Sequence, residues 1–161
     1  MNKPLIRPIK KEDNAQVAAI VRSVIIEMGV PKEGTAYADK NLERMFEHYQ
    51  SDRAAYFVMV QDHKVIGCAG IGQLDNYEGN VCELQKMYFL PEARGIGMGS
   101  KMMSTCLEAA RSFGYEQCYL ETMPYMTAAQ KLYTRTGFYY IDQPLGNTGH
   151  YSCPVHMLFN L

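Results

Sequence analysis

The sequence predicts an α/β domain of the mixed-sheet kind: a mostly antiparallel central sheet, one parallel strand-helix-strand crossover, and flanking helices. Three observations carry this expectation. Apolar residues recur every three or four positions in four stretches, the spacing of amphipathic helices. Between residues 55 and 89 the pattern changes to β-rich runs broken by short turns. Beyond residue 97, helical and extended stretches alternate, as they must when a helix carries the chain between parallel strands.

Each element has its own signal. Leu5, Ile6 and Ile9 flank Arg7-Pro8, and proline cannot donate to a central ladder, so this short strand belongs at a sheet edge. Asp13 and Gln16 have the spacing of a capping box and start a helix striped by Val17, Ile20, Val21, Val24 and Met28, which Gly29 stops. Residues 34–38 form a loop before a second amphipathic helix with Leu42, Met45, Phe46 and Tyr49 on one face. Strands are expected over 55–61, 65–74 and 81–89, separated by Asp62-His63-Lys64 and by the turn-rich 75–80. A helix follows from about Gly97 to Phe113, burying Met102, Met103, Cys106, Leu107, Ala110 and Phe113. Residues 117–122 read as a strand, 126–136 as a helix closed by Gly137, and 139–141 and 155–159 as the last strands. A helix joins the strands at 81–89 and 117–122, so these two should be parallel.

The chain of 161 residues fits one domain, residues 1–161, with no repeat, low-complexity tract or linker to divide it. Hydrophobic content of 47% against 20% charged residues excludes intrinsic disorder. A formal charge of -1 removes the electrostatic case for binding nucleic acid or an anionic membrane surface. Apolar runs such as Tyr56 to Val60 fall far short of the roughly 20 residues a spanning helix needs, and early charges at Arg7, Lys10 and Lys11 leave no signal-peptide core. Five scattered cysteines, an odd number lying mostly in apolar segments, read as buried thiols in a reducing cytoplasm. A cytoplasmic protein is expected.

The chemistry concentrates in Phe89-Leu90-Pro91-Glu92-Ala93-Arg94-Gly95-Ile96-Gly97-Met98-Gly99-Ser100. Here a strand runs into a glycine-punctuated turn that opens a helix, which aims unpaired backbone N–H groups at one spot on the positive end of the helix dipole. Glycines at 95, 97 and 99 let the backbone approach an anion, and Arg94 can add a guanidinium. The stretch is a phosphate cradle. Its spacing is neither the dinucleotide fingerprint nor a nucleotide P-loop, because Gly99-Ser100-Lys101 lacks the Gly-Lys-Ser/Thr ending.

These residues resemble the GNAT superfamily of acyl-CoA-dependent N-acetyltransferases. Arg94-Gly95-Ile96-Gly97-Met98-Gly99 is similar to that family's Gln/Arg-x-x-Gly-x-Gly/Ala pyrophosphate loop. Ala129-x-x-Leu132-Tyr133 followed by Gly137-Phe138 resembles its second signature, and the element order matches along essentially the whole chain. Where family members often carry an asparagine that touches the pantetheine arm, this chain has Met126.

The resemblance implies a GNAT fold, acetyl-CoA as acyl donor, and transfer to a primary amine by direct attack. It implies that the backbone of Met87 and Phe89 pairs with the pantetheine arm, that an N–H near Met87 or Tyr88 polarises the thioester carbonyl, and that residues 94–100 grip the pyrophosphate. Tyr133 would be the general acid for the departing thiolate. Its ordinary pKa of about 10 against a thiol near 8.5 makes full proton transfer uphill by roughly 2 kcal/mol. Glu83 would be the base, or else a clamp for the substrate ammonium. A glutamate near 4.3 facing an alkylammonium near 10.4 is about 8 kcal/mol short, so burial must raise one and lower the other.

Tyr37 and His150 are candidate acceptor-pocket residues, Tyr37 because family members commonly line the acceptor site near that loop. His150, Cys153 and His156 have tolerable metal spacing, but a structural zinc wants four ligands, and no metal is expected. Cys82 and Cys118 have no nearby histidine to recommend either as a nucleophile. A small-molecule amine is the expected acceptor. Protein amines, or a non-catalytic CoA-binding module, are the alternatives. An open strand edge near the C-terminus is where a second copy would pair to form a homodimer.

Overall fold

The computed structural model describes residues 2–161. Seven strands form one sheet: β1 (Leu5–Pro8), β2 (Ala55–Gln61), β3 (Lys64–Gln73), β4 (Val81–Phe89), β5 (Gln117–Thr122), β6 (Tyr139–Ile141) and β7 (Val155–Asn160). Their spatial order is β1-β2-β3-β4-β5-β7-β6. All neighbours are antiparallel except β4 and β5, which run parallel through the helical crossover, as the pattern of apolar runs required. The proline-bearing β1 is one edge and β6 the other, with Tyr139 and Tyr140 exposed on it.

Two apolar layers cover the sheet. Helix α1 (Asn14–Glu27) buries Val17, Val21, Val24 and Ile25 against Tyr56, Val58, Val65 and Cys68. On the other face α3 (Met98–Ser112) packs Met102, Met103, Cys106 and Leu107 on Met59, Ile66, Ile71 and Leu84, and α4 (Thr127–Thr136) adds Tyr133. Strand β2 serves both layers by strict alternation: Tyr56 and Val58 face α1, Phe57 and Met59 face α3.

Three local expectations are corrected. The Asp13–Gln16 capping box does not form. The Asp13 carboxylate instead accepts from both Arg7 guanidinium nitrogens at 2.7 and 3.0 Å and from the Lys10 amide at 2.7 Å, while Gln16 accepts from the Val65 amide. The second amphipathic helix shrinks to one 3-10 turn (Leu42–Arg44) and the four-residue α2 (Met45–His48), because Arg44 departs from helical geometry at φ -134, ψ 44. Its face survives, since Leu42, Met45 and Tyr49 are all buried. Met28, assigned to the buried stripe of α1, is instead partly exposed at the end of that helix.

Candidate active site

Strand β4 builds the site by breaking its own phase. Cys82 and Leu84 face the α3 layer, and so do Met87 and Phe89, whereas Tyr88 faces α1. Two even-numbered residues followed by two odd-numbered ones on a single face require an extra residue between them. The pairing of β3 with β4 shifts there, from Gly70–Gln85 to Cys68–Tyr88, and Lys86 takes a left-handed φ of +48. The Tyr56 hydroxyl donates to the Lys86 carbonyl at 2.8 Å and fixes this bulge. Pairing with β5 covers only Val81–Glu83, so β4 and β5 part just before the bulge.

The parted strands separate two chambers. The first is a cleft of about 410 Å³ between β4, the turn before α3, and α4. Arg94, Gly95, Gly97, Gly99 and Ser100 line it, together with Met87, Tyr88 and Phe89 of β4. Gly95 and Gly97 hold φ of +72 and +77, and an added Cβ at either would meet nothing within 4 Å, so their backbone faces open space. The first three amides of α3 have no intrahelical acceptor and remain available to an anion.

Gly99 has a packing role beside its place in the cleft wall. It lies inside α3, and its missing Cβ accommodates Leu132 of α4, which would sit 3.3 Å away. Arg94 departs from expectation. Its guanidinium is committed to Glu27 through two contacts of 2.8 Å and to the Phe89 carbonyl at 2.8 and 3.0 Å. The arginine braces the turn against α1 and the end of β4. Ile96 points outward and Met98 into the core, so neither side chain lines the cleft.

The second chamber, of about 300 Å³, lies on the α1 side of β4. Glu83 is buried in its wall, and its Oε1 accepts from the Gln85 amide at 2.8 Å. The buried Tyr49 hydroxyl donates in turn to Gln85 Oε1, which fixes the orientation of that amide. Burial raises the Glu83 carboxyl to about 7, with the Glu121 charge assisting and Gln85, His150 and Lys86 opposing. Across the chamber, Asp39 accepts from Lys86 at 2.8 Å and pairs with His150 Nε2 at 2.9 Å. Burial alone would raise Asp39, but His150 and Lys86 outweigh it and hold the carboxyl below its ordinary value. His150 is raised because the Asp39 bond and charge overcome its own burial.

Met87, Tyr88, Met126 and Tyr133 line both chambers. Tyr133 is buried, its ring 6.0 Å from that of Phe138, and burial pushes its hydroxyl up to about 12. Among the described residues nothing hydrogen-bonds that hydroxyl.

The acetyltransferase (GNAT) family model matches residues 24–138. Over 159 residues the chain is 40% identical to the uncharacterized N-acetyltransferase YjgM of Escherichia coli, covering 98% of this chain and 95% of that protein. This chain belongs to the GNAT acetyltransferase family. Solved structures agree on the fold. A GNAT-family acetyltransferase from Staphylococcus aureus superposes with a TM-score of 0.85 over 99% of both chains at 20% identity. The yncA protein of Salmonella typhimurium, solved with its cofactor acetyl-CoA, gives 0.80 at 21% identity over 99% of this chain and 95% of its own.

Of the residues that the GNAT resemblance and the sequence nominated, Glu83, Met87, Tyr88, Tyr133 and His150 meet at the second chamber. Tyr37 does not line it. Its ring packs against Lys32 and Arg22, while its neighbours Thr35, Ala36 and Asp39 form the wall. His156 sits apart from His150 and meets the Tyr119 hydroxyl at 3.0 Å, whereas Cys153 joins the chamber wall. Among the described residues no cluster of three His, Cys, Asp or Glu side chains is arranged to hold a metal ion. Sequence reasoning missed Asp39, Gln85, Lys86 and Glu121. Asp39 and Lys86 meet through the bulge and a distant loop, while Gln85 and Glu121 have partners two positions away, Glu83 and Tyr119, that no motif marks.

Proposed function

We propose that this protein transfers the acetyl group of acetyl-CoA to the primary amine of a small molecule by direct attack. The observation that carries this reading is the shared wall: the cleft with the free α3 amides and the chamber with Glu83 meet at Met87, Tyr88, Met126 and Tyr133. Acetyl-CoA supplies a thioester whose carbonyl carbon accepts the amine. The amides at the start of α3 hold its diphosphate, and the backbone of Met87 to Phe89 binds its pantetheine arm and offers an N–H to the developing oxyanion. Met126 fills the place of a polar contact with an apolar one.

Glu83 takes the proton that the acceptor ammonium must lose. With the carboxyl at about 7, transfer from an ordinary alkylammonium near 10.4 is uphill by about 5 kcal/mol, well below the roughly 8 of an exposed glutamate. The N–C bond forms as the C–S bond breaks, and Tyr133 gives its proton to the departing sulfur. Burial pushes that hydroxyl up to about 12, about 5 kcal/mol short of an ordinary thiol near 8.5, so the same burial must raise the departing thiolate for the transfer to run.

The test is thiol release from acetyl-CoA by purified protein against a panel of amines, with the acetylated product identified by mass. Amine-dependent release supports the reading. Binding of acetyl-CoA with no turnover on any amine or peptide would reduce the protein to a CoA-binding module.

A further inference from the structure

The acceptor chamber is charged at two poles. At one, Glu83 and Glu121 lie close enough for the second to oppose ionisation of the first. At the other, Lys86 and His150 converge on the single carboxylate of Asp39. Lys86 reaches this position at a cost. A left-handed backbone is disfavoured for an L-residue, and such strain is retained where it serves a site. Its side chain is only 9% exposed, so the ammonium has given up most of its water.

Among the described residues Asp39 is the one carboxylate in direct contact with both Lys86 and His150, and Glu83 acts on them only at longer range. Asp39 also takes only one of the three ammonium N–H groups, which leaves two for a ligand in the chamber that Lys86 lines. We propose that this pole binds a carboxylate, so that the acceptor is a small amino acid whose amine faces Glu83 and whose carboxylate faces Lys86 and His150. The inference rests on the acetyl-transfer reading and names its substrate class. A chamber of about 300 Å³ holds a molecule of that size. A diamine would set its second ammonium against Lys86 and His150, and a plain alkylamine would bury them without an anion.

The experiment compares kcat/KM for alanine, leucine, phenylalanine and 4-aminobutyrate with that for ethylamine, 3-methylbutylamine, phenethylamine and propylamine, and with that for the diamine putrescine. The expected result is that the best acceptor carries a carboxylate and exceeds its decarboxylated counterpart by roughly 10- to 100-fold, the worth of a hydrogen bond between charged groups. Lys86→Met should shrink that ratio at least tenfold, whereas Lys86→Arg should keep most of it. Should Lys86→Met not fold, the wild-type ratio decides alone. Equal or better use of the decarboxylated amines or putrescine overturns the carboxylate pole while leaving acetyl transfer intact, as does an unchanged ratio in Lys86→Met. No transfer to any amine, by protein that still binds acetyl-CoA, overturns both.

Discussion

Arg94 and Glu27 form a two-point clasp: each terminal guanidinium nitrogen lies 2.8 Å from one carboxylate oxygen, joining the glycine turn to the end of α1. The arginine of the motif therefore acts on the loop that carries the amides, and its side chain is not free for a phosphate. Glu27 is held below its ordinary pKa chiefly by the Arg94 hydrogen bonds.

The two sides of the clasp should respond unequally. Glu27→Ala removes an exposed partner, and exposed pairs contribute little to stability. It should leave the melting temperature unchanged and weaken CoA binding only a few-fold. Arg94→Ala also orphans the Phe89 carbonyl, so it should cost about 1 kcal/mol of stability and weaken CoA binding tenfold or more. Calorimetric titration of both variants with CoA checks the order.

Glu83 predicts a pH dependence of opposite sign for rate and stability. As a base it must be ionised, so kcat/KM should rise with pH through about 7. Its folded pKa lies above its unfolded value, so the neutral form favours folding at low pH. That advantage is lost as pH climbs from about 4.5 through 7. Glu83→Gln should therefore slow transfer at least 100-fold yet stabilise the protein at pH 8 by about 1–3 kcal/mol, read from denaturant unfolding at pH 5 and 8.

Tyr133→Phe removes only a hydroxyl that no neighbour in the described residues needs. Packing against Phe138 is retained, so stability should change by less than about 1 kcal/mol and CoA affinity should hold. If the hydroxyl protonates the leaving thiolate, kcat should drop roughly 100-fold at saturating donor and acceptor. A wild-type rate would remove Tyr133 from the chemistry.

The Asp39–His150 pair gives a further pH signature. His150 is raised, so its contribution to stability is complete below about pH 6.5 and fades as pH rises through the higher folded value. Asp39→Asn should abolish this dependence and return His150 to or below its ordinary pKa, measured by NMR titration of the imidazole. It should also leave the partly buried Lys86 ammonium without its partner, costing about 1–3 kcal/mol.

Much of this architecture was legible in the chain. Periodicity located the strands at 81–89 and 117–122, and the glycine turn marked the start of α3. Local signals failed where other partners outbid them. Asp13 was taken by Arg7 of the edge strand, and the helix expected around Leu42 to Tyr49 kept its buried face but not its regular backbone. The site divides in the same way. Glu83 and Tyr133 were visible through the resemblance of their surroundings, whereas the Asp39–His150 contact spans 111 positions. Tyr37 was nominated from the right loop but faces away, two residues from the aspartate that lines the chamber.

The single surplus residue at Lys86 makes part of this protein sensitive to length in a way that it is not sensitive to identity. Deleting Lys86 would restore plain alternation, keeping Met87 and Phe89 toward α3 and Tyr88 toward α1 but erasing the bulge itself. Substitutions along β4 each alter one contact, but losing that one residue would remove the distortion beside which β4 and β5 part. Descendants of this chain can therefore vary the lettering of that strand far more freely than its count.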